Sequence, residues 1–317
     1  MSYISKSLFA VSIAAVTATI AAPARAQETP APSATPDTAS ESDLAALDGA
    51  EGTALAFGLP PAPPKTAPLK AAGPVDEKIA SRFDAPGGFT LSANVALASE
   101  YRFRGVNLSG GKIALQGGFD VSHTTGFYAG TWASTLDDTT IGYGELELDL
   151  YGGWTGDVAK GLTLDVGFIA YTYPYDPPGD FDYYEVYGSL GFDIGPASAK
   201  LGFAYDPEQA GLKLNGASRD NLYTFGNVSI GIPSTPITFD AHLGYTDGAL
   251  SLENDIHSFD WSLGISAPVI GPFIASLAYV EAQSDVAQGA FNPTKANVVA
   301  ILKASCRFPL RFDPGVR

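Results

Sequence analysis

Glu145-Leu146-Glu147-Leu148-Asp149-Leu150 is the stretch that decides the fold. In an extended strand successive side chains leave on opposite faces. The hexapeptide then shows carboxylates on one side and leucines on the other. On a helix the two sets would be scattered around the circumference. The segment is therefore predicted to be a strand with one polar and one apolar face.

The same alternation recurs from Thr90 onward. Leu91, Ala93, Val95 and Leu97 alternate with Ser92, Asn94, Ala96 and Ala98. Phe119 and Val121 flank Asp120, Leu164 and Val166 flank Asp165, and Tyr184 and Val186 flank Glu185. Ile237, Phe239, Ala241, Leu243 and Tyr245 alternate with Thr238, Asp240, His242 and Gly244. Phe259, Trp261, Leu263 and Ile265 alternate with Asp260, Ser262, Gly264 and Ser266. About twelve strands are predicted, near 90–103, 113–123, 126–136, 143–154, 162–173, 182–193, 198–205, 221–231, 236–246, 257–267, 272–280 and 297–308. Most are 9–12 residues long, and a tilted strand needs about 9–11 residues to cross a bilayer.

The connections alternate as well. Short ones fall at 123–126, around Gly156, at 195–197, 233–236 and 267–272; long ones fall at 104–112, 136–142, 174–180, 206–219, 247–256 and 281–296. Transmembrane barrels have short periplasmic turns and longer external loops. An even strand number returns both ends to the same side. The predicted fold is all-β, an antiparallel up-and-down transmembrane β-barrel of about twelve strands.

The chain has 317 residues, a formal charge of −16 and 16% charged residues, against about a quarter in ordinary soluble domains. Residues 1–26 have the form of a signal peptide: Lys6, an apolar run over 8–22, and Ala24-Arg25-Ala26 before Gln27. Residues 27–89 are rich in Ala and Pro, with Pro60-Pro61-Ala62-Pro63-Pro64 as a stiff spacer. They are predicted to be a disordered periplasmic extension. The barrel is placed at 90–308 and a C-terminal tail at 309–317. After the signal no run of about 18 apolar residues remains, so a membrane-crossing mature chain must cross as a closed barrel. The predicted location is the cell outer membrane, with its lipid as the surrounding partner.

Cys306 is the only cysteine, which excludes an intrachain disulfide and cysteine-based metal or redox pairs. The acidic balance without a basic patch disfavours nucleic acid. Gly-Gly pairs at 110–111, 117–118 and 152–153 belong to no phosphate loop and fit turns and crowded barrel positions. Tyr101, Phe103, Tyr128, Trp132, Tyr151, Trp154, Tyr184, Phe192, Tyr205, Tyr245 and Trp261 lie mostly toward strand ends, which suits interfacial girdles.

The last predicted strand carries Val298, Ala300, Leu302, Ala304, Cys306 and Phe308 on one face, with Lys303 and Arg307 opposite. An apolar alternating last strand that ends in an aromatic looks like an assembly signal, carried by Leu302, Cys306 and Phe308. The barrel assembly machinery is the partner this implies. The tail that follows departs from the usual pattern.

Four segments carry a family resemblance: 91–105 (LSANVALASEYRFRG), 114–120 (ALQGGFD), 126–133 (GFYAGTWA) and 147–153 (ELDLYGG). The chain resembles the TorF-like family of outer-membrane porins over roughly 88–308. The resemblance implies a porin-like barrel; the predicted function is passive diffusion of ions or small hydrophilic solutes, with no cofactor assigned.

With apolar faces toward lipid, alternation predicts a pore lining of Glu100, Arg102, Arg104, Asp120, Glu145, Glu147, Asp149, Asp165, Glu185, Asp240, Asp260 and Lys303. Acidic rings favour cations, so a weak cation preference is expected. About twelve strands spaced ~4.8 Å and tilted ~40° give a backbone diameter of roughly 24 Å and a bore of roughly 10 Å or less. Loops 206–219 or 281–296 are long enough to fold in and close it.

Other readings of the same residues are a structural or surface-interaction barrel with a plugged lumen and, with less support, a hydrolase. His242 lies inward, two residues from Asp240, but no nucleophile elbow surrounds any serine, so no catalytic residue is assigned. Glu145, Glu147 and Asp149 share a face with successive carboxylates ~7 Å apart, so a compact divalent site would need help from neighbours, and no metal site is assigned. The oligomeric state is left open.

Overall fold

The computed structural model describes residues 88–175, 181–214, 217–251, 257–283 and 292–309. The predicted signal peptide, almost all of the extension and the tail beyond 309 lie outside the described residues.

Twelve strands form the closed barrel. They are β1 (Phe89–Ala98), β2 (Ala114–His123), β3 (Phe127–Thr135), β4 (Leu146–Ala159), β5 (Leu162–Thr172) and β6 (Tyr183–Ile194), then β7 (Ala197–Asp206), β8 (Asn221–Gly231), β9 (Thr238–Gly248), β10 (His257–Ile270), β11 (Phe273–Gln283) and β12 (Asn297–Pro309). Each pairs antiparallel with its chain neighbours, and β1 pairs with β12 to close the cylinder. Closure leaves no free sheet edge, which is the condition for a sheet in hydrocarbon.

The alternation has the predicted sense. Val95, Leu97, Phe119, Leu150, Leu201, Leu243, Leu263 and Leu277 are exposed on the outside, while Ser92, Asp120, Asp149, Asp165, Asp240 and Asp260 are buried within. An exposed apolar belt of this extent suits a lipid surround. Short turns and long connections alternate around the rim. No helix among the described residues is long and apolar enough to cross a membrane.

Three differences from the sequence-based boundaries bear on the lumen and its turns. First, β1 ends at Ala98 rather than at 103, because the chain leaves the wall and turns inward. Second, the turn after β4 falls at Lys160-Gly161, where Gly161 has φ 72°, and not at Gly156. Gly156 is a strand residue paired with Leu164; a Cβ there would lie 2.6 Å from the Trp154 ring, so it is a glycine for closeness, not for turning. Third, β4 begins at Leu146, which leaves Glu145 outside the strand and exposed.

The inner wall places aromatic rings over glycines. Tyr151 faces Gly130, Tyr128 faces Gly153 and Tyr187 faces Gly167 across adjacent strands. A Cβ on Gly130 would sit 2.6 Å from the Tyr151 ring. Gly130→Val is therefore expected to cost about 1–3 kcal/mol through overpacking. Gly231→Ala, at a strand end with its nearest neighbour 3.7 Å away, should change stability by no more than about 0.5 kcal/mol. Urea unfolding of barrels reconstituted in vesicles compares the two; equal costs would show that the glycine–tyrosine contact does not determine packing.

Candidate functional site: the lumen and its strap

Residues 99–113, the first long connection, do not stay outside the barrel. Arg102–Phe103 and Val106–Asn107 form a small hairpin with Arg104-Gly105 at its tip. Both tip residues have positive φ, 48° and 77°, as a two-residue turn of the primed kind requires. Glycine adopts this freely, whereas arginine does so at a cost. Contacts made by the Arg104 side chain offset that cost. Its guanidinium pairs with Glu185 on β6, lies 3.7 Å from Asp206 on β7, and stacks 4.4 Å above the Tyr223 ring on β8. These strands stand opposite β1 in the barrel order. The segment is thus a strap running from one wall to the other.

The tip leaves no room for a side chain at Gly105, where a Cβ would lie 2.7 Å from Ala282 Cβ and 2.8 Å from Asp260 Cβ. The base of the strap is fastened as firmly. Glu100 accepts from Arg102 Nε at 2.6 Å, from Asn107 Nδ2 at 2.7 Å and from Asn297 Nδ2 at 3.0 Å. Arg102 also donates to the carbonyls of Gly105 and Lys295, both at 2.8 Å. The Tyr101 amide donates to Ser109 Oγ at 2.9 Å. Tyr101, Val106 and Leu108 enter one buried cluster with Trp132, Tyr151, Ile169, Tyr171, Tyr173, Tyr183 and Leu212. Leu212, from the connection that follows β7, thus packs against the strap in this cluster. The carbonyls of Pro293 and Lys295, which receive strap hydrogen bonds, bring the described part of 281–296 onto it as well.

Outside the barrel, Lys112 Nζ donates to Asp137 Oδ1 at 2.9 Å, and Thr139 and Thr140 add hydroxyl donors. The ammonium and these hydroxyls hold the Asp137 carboxyl below its usual range.

Most predicted lumen carboxylates lie inside and serve as acceptors for lumen hydroxyls. Tyr128 donates to Asp165 at 2.6 Å, Tyr101 to Glu147 at 2.9 Å, Tyr171 to Glu185 at 3.1 Å, and Tyr151 to Asp120. Ser92 adds a donor to Asp120 at 3.3 Å. Asp240 accepts from Ser229 at 2.7 Å and Ser266 at 2.9 Å. Tyr101, Tyr128, Trp132 and Tyr151, expected in a girdle, are buried in the lumen instead. A buried tyrosine needs a partner for its hydroxyl, and the lumen supplies carboxylates. Tyr184 and Tyr205 are exposed on the outer face, as a girdle requires.

Among the predicted pore-lining residues, Glu147, Asp149, Asp120, Asp165, Glu185, Asp240 and Asp260 are buried on the inner wall, and Lys303 is half-buried. Glu100, Arg102 and Arg104 are buried too, but on the strap. Glu145 is a correction: it sits at the mouth, apart from Glu147 and Asp149. Asp206, which completes the Arg104 latch, falls one residue beyond the predicted strand end and was not among the predicted residues. Leu302 and Cys306 are exposed on the outer face of β12. The backbone of Phe308 pairs with Leu91.

His242 has both ring nitrogens engaged. Nδ1 is 2.6 Å from Asn227 Oδ1, and Nε2 is 2.8 Å from Asp260 Oδ1 and 2.9 Å from the Tyr223 hydroxyl. Its partners are a carboxylate, an amide and a phenol, not a serine nucleophile.

An apolar exterior, a polar interior and closure by hydrogen bonds define the transmembrane class of β-barrel. The chain belongs to the family described as bacterial protein of unknown function (Gcw_chp), whose model matches residues 82–306. No curated relative matches the chain. Solved structures with a similar fold include the NanC porin, 14% identical, TM-score 0.48, covering 68% of this chain and 98% of that one. The KdgM porin in complex with disordered oligogalacturonate is 8% identical, TM-score 0.42, covering 70% and 99%. The COG4313 outer membrane channel from Pseudomonas putida F1 is 10% identical, TM-score 0.42, covering 71% and 97%.

Proposed function

We propose that this barrel is an outer-membrane channel for ions or small hydrophilic solutes, restricted at its long-loop end by the strap. The observation that carries this reading is the strap itself. A lumen designed only as a core would need no hairpin held at its tip by an ion pair. Here polar walls continue toward the short-turn end, lined by Asp120, Asp165 and Asp240 with Lys303 half-buried among them. The likeness to TorF-like porins in segments 91–105, 114–120, 126–133 and 147–153 supports the same reading. The signal-like residues 1–26 and the last strand, with Leu302, Cys306 and Phe308, support export and insertion by the barrel assembly machinery.

Inward carboxylates outnumber inward bases, which favours a weak cation preference. In planar bilayers under a salt gradient the reversal potential is expected on the cation side. Asp120→Asn, Asp165→Asn and Asp240→Asn together should move it toward zero. An anion-side potential would overturn the preference, and an unchanged one in the triple variant would remove these residues from the path.

A second reading, a structural barrel with a plugged lumen, is favoured by the burial of Glu147, Asp149, Glu185 and Asp206 to 1% exposure or less. It predicts no conductance even when the strap is released.

A further inference from the structure

The part of the lumen behind the strap buries more negative than positive charge. Glu147, Asp149, Glu185 and Asp206 gather there, and the base facing them is Arg104, which donates to Glu185 and lies 3.7 Å from Asp206. Arg102 is already paired with Glu100. Glu147 Oε1 accepts from Tyr101, but Glu147 Oε2 and both oxygens of Asp149 are buried without a hydrogen-bond partner. Ser92, Tyr128, Tyr151 and Tyr171 show that this barrel ordinarily gives its buried carboxylates donors. Glu147 and Asp206 each leave one oxygen without a donor, whereas Asp149 receives none on either.

A buried ionised carboxylate without a partner is strongly disfavoured unless a countercharge neutralises it. The surroundings indicate which countercharge fits. Asp149 stands on the inner face directly between Trp132 on β3 and Tyr171 on β5. Aromatic neighbours stabilise cations, and most readily those that shed water easily. Anionic oxygens are hard donors suited to alkali and ammonium ions. Among the described residues no group of three or more His, Cys, Asp or Glu is placed to hold a metal ion, which disfavours a multivalent one.

We propose that Asp149, with Glu147 Oε2, binds a weakly hydrated monovalent cation, potassium or ammonium, behind the strap. The site holds its ion in the closed barrel, so it stands whether or not the barrel conducts. In that position the ion neutralises the acidic wall against which the strap packs.

The test is thermal unfolding of the full chain in detergent micelles. Potassium or ammonium chloride replaces N-methylglucamine chloride at constant ionic strength. Potassium and ammonium are expected to raise Tm along a saturating curve, by about 3–6 °C at tenfold excess over half-saturation. Asp149→Asn should abolish the rise while melting no lower than the wild type in N-methylglucamine. Glu145→Gln, at the exposed mouth, should retain the rise and shows that the response does not come from surface charge. Three results would overturn the site. One is a flat potassium response in a folded wild type whose Tm rises on acidification, which would make the carboxyl a neutral acid. The second is a flat response at every pH. The third is the same saturating rise in Asp149→Asn. If Asp149→Asn does not fold, Glu147→Gln takes its place and should shift half-saturation to higher potassium.

Discussion

Arg104→Ala is expected to free the strap without unfolding the barrel. Removing the guanidinium leaves Glu185 and Asp206 facing each other without their base, at 0% exposure. Breaking a buried pair from one side costs about 3–5 kcal/mol. Here the loss falls on docking of the hairpin tip, because the twelve-strand hydrogen-bonded closure does not involve Arg104. The positive φ of Arg104 adds to the effect: without its partners, nothing offsets that conformation. The measurement is thiol labelling of Val106→Cys in a Cys306→Ser background. Val106 is buried at the tip, so the cysteine is expected to react slowly with a polar reagent when Arg104 is present. In Arg104→Ala it should react at least about 100-fold faster, the factor that ~3 kcal/mol provides. Equal rates would assign the latch to the base of the strap, around Glu100 and Arg102.

The second large effect concerns the outer face. Leu263 lies near the middle of β10 and is exposed outward, while Val269 is exposed close to the short turn. If lipid covers this face, Leu263→Arg should destabilise the barrel by about 2–4 kcal/mol, and Val269→Arg by about 1 kcal/mol or less. Denaturant titration of barrels folded into vesicles reads both. A soluble barrel would tolerate an exposed arginine equally well at either position, so equal small effects would contradict the membrane assignment.

The wall of the barrel was legible because a strand's side-chain period is local. Six residues such as 145–150 suffice to identify a strand, and repeated alternation with short and long connections is enough to count strands. The strap was not legible in the same way. Tyr101 and Phe103 continue the alternation of β1, so nothing local distinguishes a strand on the wall from a hairpin bent inward. The available signal was turn chemistry: Arg104-Gly105 suits a tight hairpin turn, whereas the 14 residues over 90–103 match the length of wall strands β4 and β10.

The lumen tyrosines illustrate a different limit. Aromatic content near strand ends suggested a girdle, yet Tyr151 lies two residues beyond Asp149, on the acidic face. Parity, applied strictly, places it inside. Which carboxylate receives which hydroxyl depends on how the strands are placed against one another, as in Tyr128 with Asp165 and Tyr151 with Asp120. That information is in the register, not in any one segment.

The most direct measurement is single-channel recording in planar bilayers of the wild type beside a variant whose residues 102–107 are replaced by a short Gly–Ser link. The channel with its strap is expected to give small or infrequent conductance steps. The strapless barrel, confirmed as folded by its resistance to unfolding in cold detergent, is expected to give larger, sustained steps with a cation-side reversal potential in a potassium chloride gradient. A folded strapless barrel that passes no current at any voltage would contradict the channel and leave the plugged structural barrel in its place.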